Sequence, residues 1–148
     1  MSKIFQAFLS GVFFTFILDF FIFLGIKQNY IDKYDIPVYY NILFADNQNI
    51  FIFTFFTIIL GYITIYLSHK ISLSIVGLLF VLSISTLIEP IGVFTAKIIL
   101  QKDGVTLQSG KYTYSGDIYY IGRKYIYMKD DRFDKMLLLD KQKTKGDF

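Results

Sequence analysis

Two carboxylates stand where carboxylates are costly. Asp19 interrupts residues 4–26, a stretch with no other charge, and Glu89 follows the uncharged run 71–88 just before Pro90. An ionised Asp near mid-bilayer costs roughly 2.5–3.5 kcal/mol on insertion scales. Asp19 must therefore be neutral, hydrogen-bonded to Thr or Ser, or paired with a cation from another chain. Its chemistry is open between helix packing or docking of a partner's Lys or Arg, binding of a cation or proton, and a satisfied polar group with no further role. Glu89 reads as a solvated helix end, and His69 beside Lys70 as a solvated turn. With no Cys and one His, neither a four-ligand structural zinc site nor a three-ligand catalytic one can be assembled. The sequence has no GxxxxGK[ST], GxSxG, HExxH or GxGxxG, so phosphate cradles and nucleophile elbows lack a basis. No catalytic residue, metal or cofactor is assigned, and the chain is expected not to be an enzyme.

The elements that carry these carboxylates follow from where the charge sits. The chain has 148 residues, 54% of them hydrophobic and 18% charged, against about 25% charged in soluble domains. Eleven of the 15 basic and 7 of the 12 acidic residues lie from Lys97 onward, leaving the first two thirds nearly uncharged. Residues 4–26 make a helix of about 34 Å, longer than a hydrocarbon core of about 30 Å. Asp19 and the missing A-x-A site argue against a cleaved signal peptide. Residues 50–67 and 71–88 are two further apolar runs, and the three residues between them allow only a tight helical hairpin. Glu89-Pro90 should kink or stop the third span, because proline disfavours helix in the residue before it and lacks an N–H. The expectation is a membrane domain, 1–95, with spans at about 4–26, 50–67 and 71–88. Loop 27–49, rich in Tyr, suits the interface and is expected to hold a short surface helix near 38–45 or a plain loop.

Each span carries a stripe of small and hydroxyl residues, the types that let helix backbones approach in lipid. In the first these are Ala7, Gly11, Thr15 and Asp19 at four-residue spacing. In the second, Thr54, Thr57, Gly61, Thr64 and Ser68 follow three-four spacing, and in the third Ser74, Gly77, Ser85 and Gly92 share a face. Single stripes are explained by hydroxyls bonding to carbonyls one turn back. Three together point to a shared packing seam.

From residue 96 the period changes. Strand-like runs at 97–101, 105–108, 111–114, 117–121, 124–129 and 135–140 alternate with turns at 102–104, 109–110, 115–116, 122–123 and 130–131. This predicts a small antiparallel β domain, 96–140, as a meander or a barrel whose strand rhythm resembles small SH3-like or Sm-like barrels, and a flexible tail, 141–148. Some 50 residues rarely hold a core alone, so the domain should lean on the membrane, on loop 27–49 or on another copy. Arg123, Lys124 and Lys129 among Tyr119, Tyr120, Tyr125 and Tyr127 have the composition of a nucleic-acid stacking platform. Seven acids dilute it, lipid headgroups are the nearer polyanion, and no nucleic-acid partner is assigned.

Near the span ends, Lys3 and Lys70 stand on one side and Lys27, Lys33, Lys97, Lys102 and Lys111 on the other, which favours a multi-pass protein with its β domain in the cytoplasm. The expected function is a non-catalytic subunit or scaffold, partnered by the lipid bilayer and by a membrane protein or a second copy. The alternative is an oligomeric ion or proton channel, or a transporter component, using Asp19 and Glu89.

Overall fold

The computed structural model describes residues 2–132 and 135–146, in which five helices precede a five-stranded antiparallel sheet. Helix α1 (Lys3–Ile26) starts where the Ser2 hydroxyl accepts the Phe5 amide and continues without a break as a π-helical turn, Lys27–Ile31, bearing the Lys27–Asp32 ion pair. Over Lys3–Ile31 it is long and apolar enough to cross a membrane. Helix α2 (Tyr40–Asn47) is the surface helix expected in loop 27–49, shifted by two residues. It bends by 85° into α3 (Ile50–Tyr66), whose free amides at Phe51 and Ile52 are capped by the Asn49 carbonyl oxygen of the side chain at 2.9 and 3.2 Å.

Helix α4 (His69–Ser85) ends three residues earlier than expected, and after a bend of 93° the chain enters α5 (Glu89–Leu100). Pro90 thus opens a helix rather than ending one: α4 has already stopped at Ser85, and proline in the first turn of α5 gives up an amide that has no intrahelical partner. Glu89 in the first turn and Lys97 in the last match the helix dipole. The strand expected at 97–101 is a correction: Lys97 to Leu100 are the last turn of α5. Gly92, Ala96 and Leu100 are its buried residues, and four-residue spacing outweighs the β propensity of the Ile-Ile pair.

The strands are β1 (Lys102–Ser109), β2 (Tyr112–Ile121), β3 (Tyr125–Asp130), β4 (Met136–Asp140) and β5 (Thr144–Lys145), in the order β4-β3-β2-β1-β5. The turn expected at Ser109-Gly110 falls one residue later, at Gly110-Lys111, with Gly110 at φ +63°. Those expected at 102–104 and 115–116 lie inside strands instead. The ladder slips between Lys102 and Val105 around Gly104 at φ +64°, a bulge. Gly116 pairs with both Val105 and Asp130, and any Cβ there would run into the Lys129 carbonyl. Residues 141–145 of the expected tail are also structured; Asp147 and Phe148 lie outside the described residues. A 3-10 turn, Lys141–Lys143, carries the chain from β4 at one edge to β5 at the other, and buried Thr144 donates to the Asp140 carbonyl at 2.8 Å. Three residues bridge at most about 14 Å, so the sheet coils until its edges approach.

Two cores result. Leu107, Ile118, Ile126, Met128 and Leu139 pack within the sheet. The larger core is shared: Tyr120 and Tyr127 of the sheet pack with Phe23, Ile26, Tyr30 and Leu43, and with Ala96 and Leu100 of α5. The sheet therefore does lean on residues 27–49, as its small size required.

Candidate functional site

The α1–α3 contact is built from the expected small residues. Gly11, Thr15, Thr57 and Gly61 are all buried. A Cβ on Gly11 would fall on the Thr57 carbonyl, and one on Gly61 on the Ala7 carbonyl, so the two backbones touch at two levels. Thr64, half-buried at the end of this face, donates to its own helix at Leu60 (2.7 Å) and Gly61 (3.1 Å). Thr54 is exposed and stands outside the seam.

The stripe carried by α4 points elsewhere. Ser74 is exposed and donates to the Lys70 carbonyl at 2.9 Å, a Cβ at Gly77 would meet nothing, and Ser85 is half-buried and bonded to the Leu82 carbonyl at 2.6 Å. Helix α4 buries Ser72 and Ser83 instead. Beyond its end, the Thr86 hydroxyl donates to the carbonyls of Phe21 (3.0 Å) and Ser83 (2.7 Å). Gly92, assigned to the same stripe, is buried in α5 against the Thr86 carbonyl and Asn29.

Asp19 stands level with the α2–α3 bend, where its carboxylate accepts the Gln48 side-chain amide at 2.9 Å. No cation pairs with it among the described residues. Glu89 is separate: exposed at the start of α5, it takes Lys33 at 2.7 Å. The two carboxylates are not brought together. Beside Asp19 runs a partly open, almost wholly apolar groove of about 260 Å³, floored by Thr15, Leu18 and Ile22 of α1 and walled by Phe56 of α3 and by Leu79, Leu82 and Ser83 of α4. Asp19, Thr86 and Thr95 complete its lining. Among the described residues the buried hydroxyls of Thr15 and Thr57 on the helices, and of Tyr120 in the sheet, have no partner, whereas Thr64, Ser74, Ser85 and Thr95 all bond one turn back.

Sequence reading missed the polar joint between helices and sheet. Tyr30, fully buried, donates toward the Gln101 side chain (3.1 Å) and the Tyr119 carbonyl (3.2 Å), and Asn29 donates to the Thr86 carbonyl at 2.9 Å. Arg123 grips Asp46 of α2 through Nε and Nη2 at 2.7–3.1 Å. Burial, then the neighbouring Tyr34, pushes the Tyr119 hydroxyl's pKa up, so this joint is held by neutral phenols and one ion pair. Arg123 and Lys124, candidates for a stacking platform, are engaged with Asp46 and with the Tyr125 ring at 5.2 Å. The described residues contain no group of three His, Cys, Asp or Glu able to hold a metal. No protein-family model, curated protein or solved structure matches the chain.

Proposed function

We propose that α1, α3 and α4 are three membrane spans, that α2 and α5 lie in the interface, and that the chain is a non-catalytic subunit or scaffold of a membrane assembly. The coiled sheet, a small barrel of SH3-like rhythm, is its interaction module and faces the cytoplasm, where Lys27, Lys33, Lys97, Lys102 and Lys111 would satisfy the positive-inside bias. Arms of 17 residues reach about 25 Å, slightly short of a hydrocarbon core of about 30 Å. The 85° and 93° bends then fall at headgroup depth. Helix α5 supports this placement: Gly92, Ala96 and Leu100 are buried while Ile91, Phe94 and Ile98 are exposed, the two-sided character of a helix lying in the interface.

The observation that carries the scaffold reading is the outward face of α4. Ser74, Gly77 and Val81 stand on the side that neither α1 nor α3 covers, which leaves one close-packing surface for another membrane polypeptide or a second copy. The chain has no cysteine, so Ser74→Cys and Gly77→Cys can be cross-linked singly in native membranes, with Thr57→Cys as the buried control. Adducts of defined mass from positions 74 and 77 alone are expected; no adduct from either would end the scaffold reading. The second reading, a cation or proton pathway at Asp19 in an oligomer, draws on the groove beside that residue. It requires flux in reconstituted vesicles that Asp19→Asn abolishes.

A further inference from the structure

The groove beside Asp19 has three properties that together describe a ligand. Its walls are apolar over the length between α3 and α4. At its upper end stands a carboxylate bonded to one neutral amide and to no cation among the described residues. Thr15, 2% exposed, lines its floor, and its buried hydroxyl has no partner among the described residues, although helix geometry offers it a carbonyl one turn back. One helical turn separates Thr15 from Asp19, about 6 Å along the axis. A ligand that reaches both has its polar head just below the plane of α2 and α5 and its tail among Leu79, Leu82 and Phe56.

We propose that this groove holds one acyl chain of a membrane amphiphile whose protonated amine head pairs with the Asp19 carboxylate and bonds the Thr15 hydroxyl. The inference rests on the reading that α1, α3 and α4 lie in lipid. Charge selects the head: a carboxylate or phosphate at this depth would meet Asp19 as a like charge, whereas an ammonium supplies the missing cation and several donors. The lining selects the tail: Leu18, Ile22, Phe56, Leu79 and Leu82 offer a saturated chain dispersion contacts along the groove.

The test uses the full chain in nanodiscs of phosphatidylcholine, whose quaternary ammonium cannot donate a hydrogen bond. Because the sequence has no Trp, Leu79→Trp places a sole indole on the groove wall, and tail-brominated stearylamine, stearyl alcohol and stearic acid serve as quenchers. Saturable quenching by the amine is expected at a mole fraction roughly tenfold below that needed for the acid, the ratio of a modest charge-assisted bond. Asp19→Asn should remove the preference and Thr15→Val should weaken it. Gln48→Ala, which frees the carboxylate while leaving the charge, should keep it and guards against a folding defect in the Asn variant. Equal quenching by all three probes, alcohol binding as tight as amine binding, or a preference that survives Asp19→Asn would overturn the proposal. Quenching by none would overturn the membrane placement with it.

Discussion

Replacing the seam glycines by alanine isolates the contact on which the helical half depends. At Gly11 the added methyl meets the Thr57 carbonyl, and at Gly61 it meets the Ala7 carbonyl. These obstacles are backbone atoms that no rotamer change can move, so α1 and α3 must separate. Overpacking of this kind costs about 1–3 kcal/mol. Gly77→Ala is the internal control, because its methyl would meet nothing and alanine gains up to about 1 kcal/mol over glycine in a helix interior. The difference between Gly11→Ala and Gly77→Ala should therefore be about 2–4 kcal/mol, read from unfolding in mixed micelles of increasing dodecyl sulfate fraction, followed by circular dichroism. Gly11→Ala with Gly61→Ala should cost less than the sum of the two, since the first separation relieves the second contact. Equal costs at positions 11 and 77, or strict additivity within the seam, would refute the close approach.

Three further outcomes follow from the joint and the sheet. Tyr30→Phe, which removes the donor to Gln101 and the Tyr119 carbonyl, should cost about 1 kcal/mol and speed amide exchange in α5 and β2 while leaving the lower ends of α1 and α3 unchanged. Arg123→Glu should open the α2–sheet contact to proteolysis, and pairing it with Asp46→Arg should restore protection, because the ion pair is bidentate. Arg132 and backbone amides hold the Asp130 carboxyl well below the usual carboxylate range. A depressed folded pKa gives stability that is present above the unfolded value and lost as pH falls through the folded one, so β2–β3 protection should decline below about pH 4. Asp130→Asn should lack that pH dependence in an exchange titration.

The α1–α3 seam was legible because small residues at three- and four-residue spacing along an apolar helix have few uses other than close approach, and Gly11 and Gly61 serve it. The inward face of α4 was not legible. Its serines occur at 72, 74, 83 and 85, and both pairs are eleven residues apart, about three helical turns. Each pair marks a clean stripe, and a shift of two residues turns the helix by about 200°, so local periodicity cannot choose between opposite faces. Contact with α1 through Thr86 and Gly25 makes the choice. Helix α5 was hidden for a different reason: the run from Lys97 to Leu100 is short, and only its phase with Gly92 and Ala96 identifies it. Gly104 and Gly116 resembled turns because the sequence shows a glycine's freedom without showing whether a bulge or a close strand requires it. The Arg123–Asp46 and Tyr30–Gln101 pairs join residues 77 and 71 apart, and no local pattern announces such a meeting.

The membrane placement is tested most directly by the sidedness of three exposed positions in sealed vesicles. Cysteines replacing His69, Asn41 and Gln108 one at a time should divide under a membrane-impermeant thiol reagent, with 41 and 108 reacting from one side and 69 only from the other. Labelling of all three from the same side would contradict three crossings.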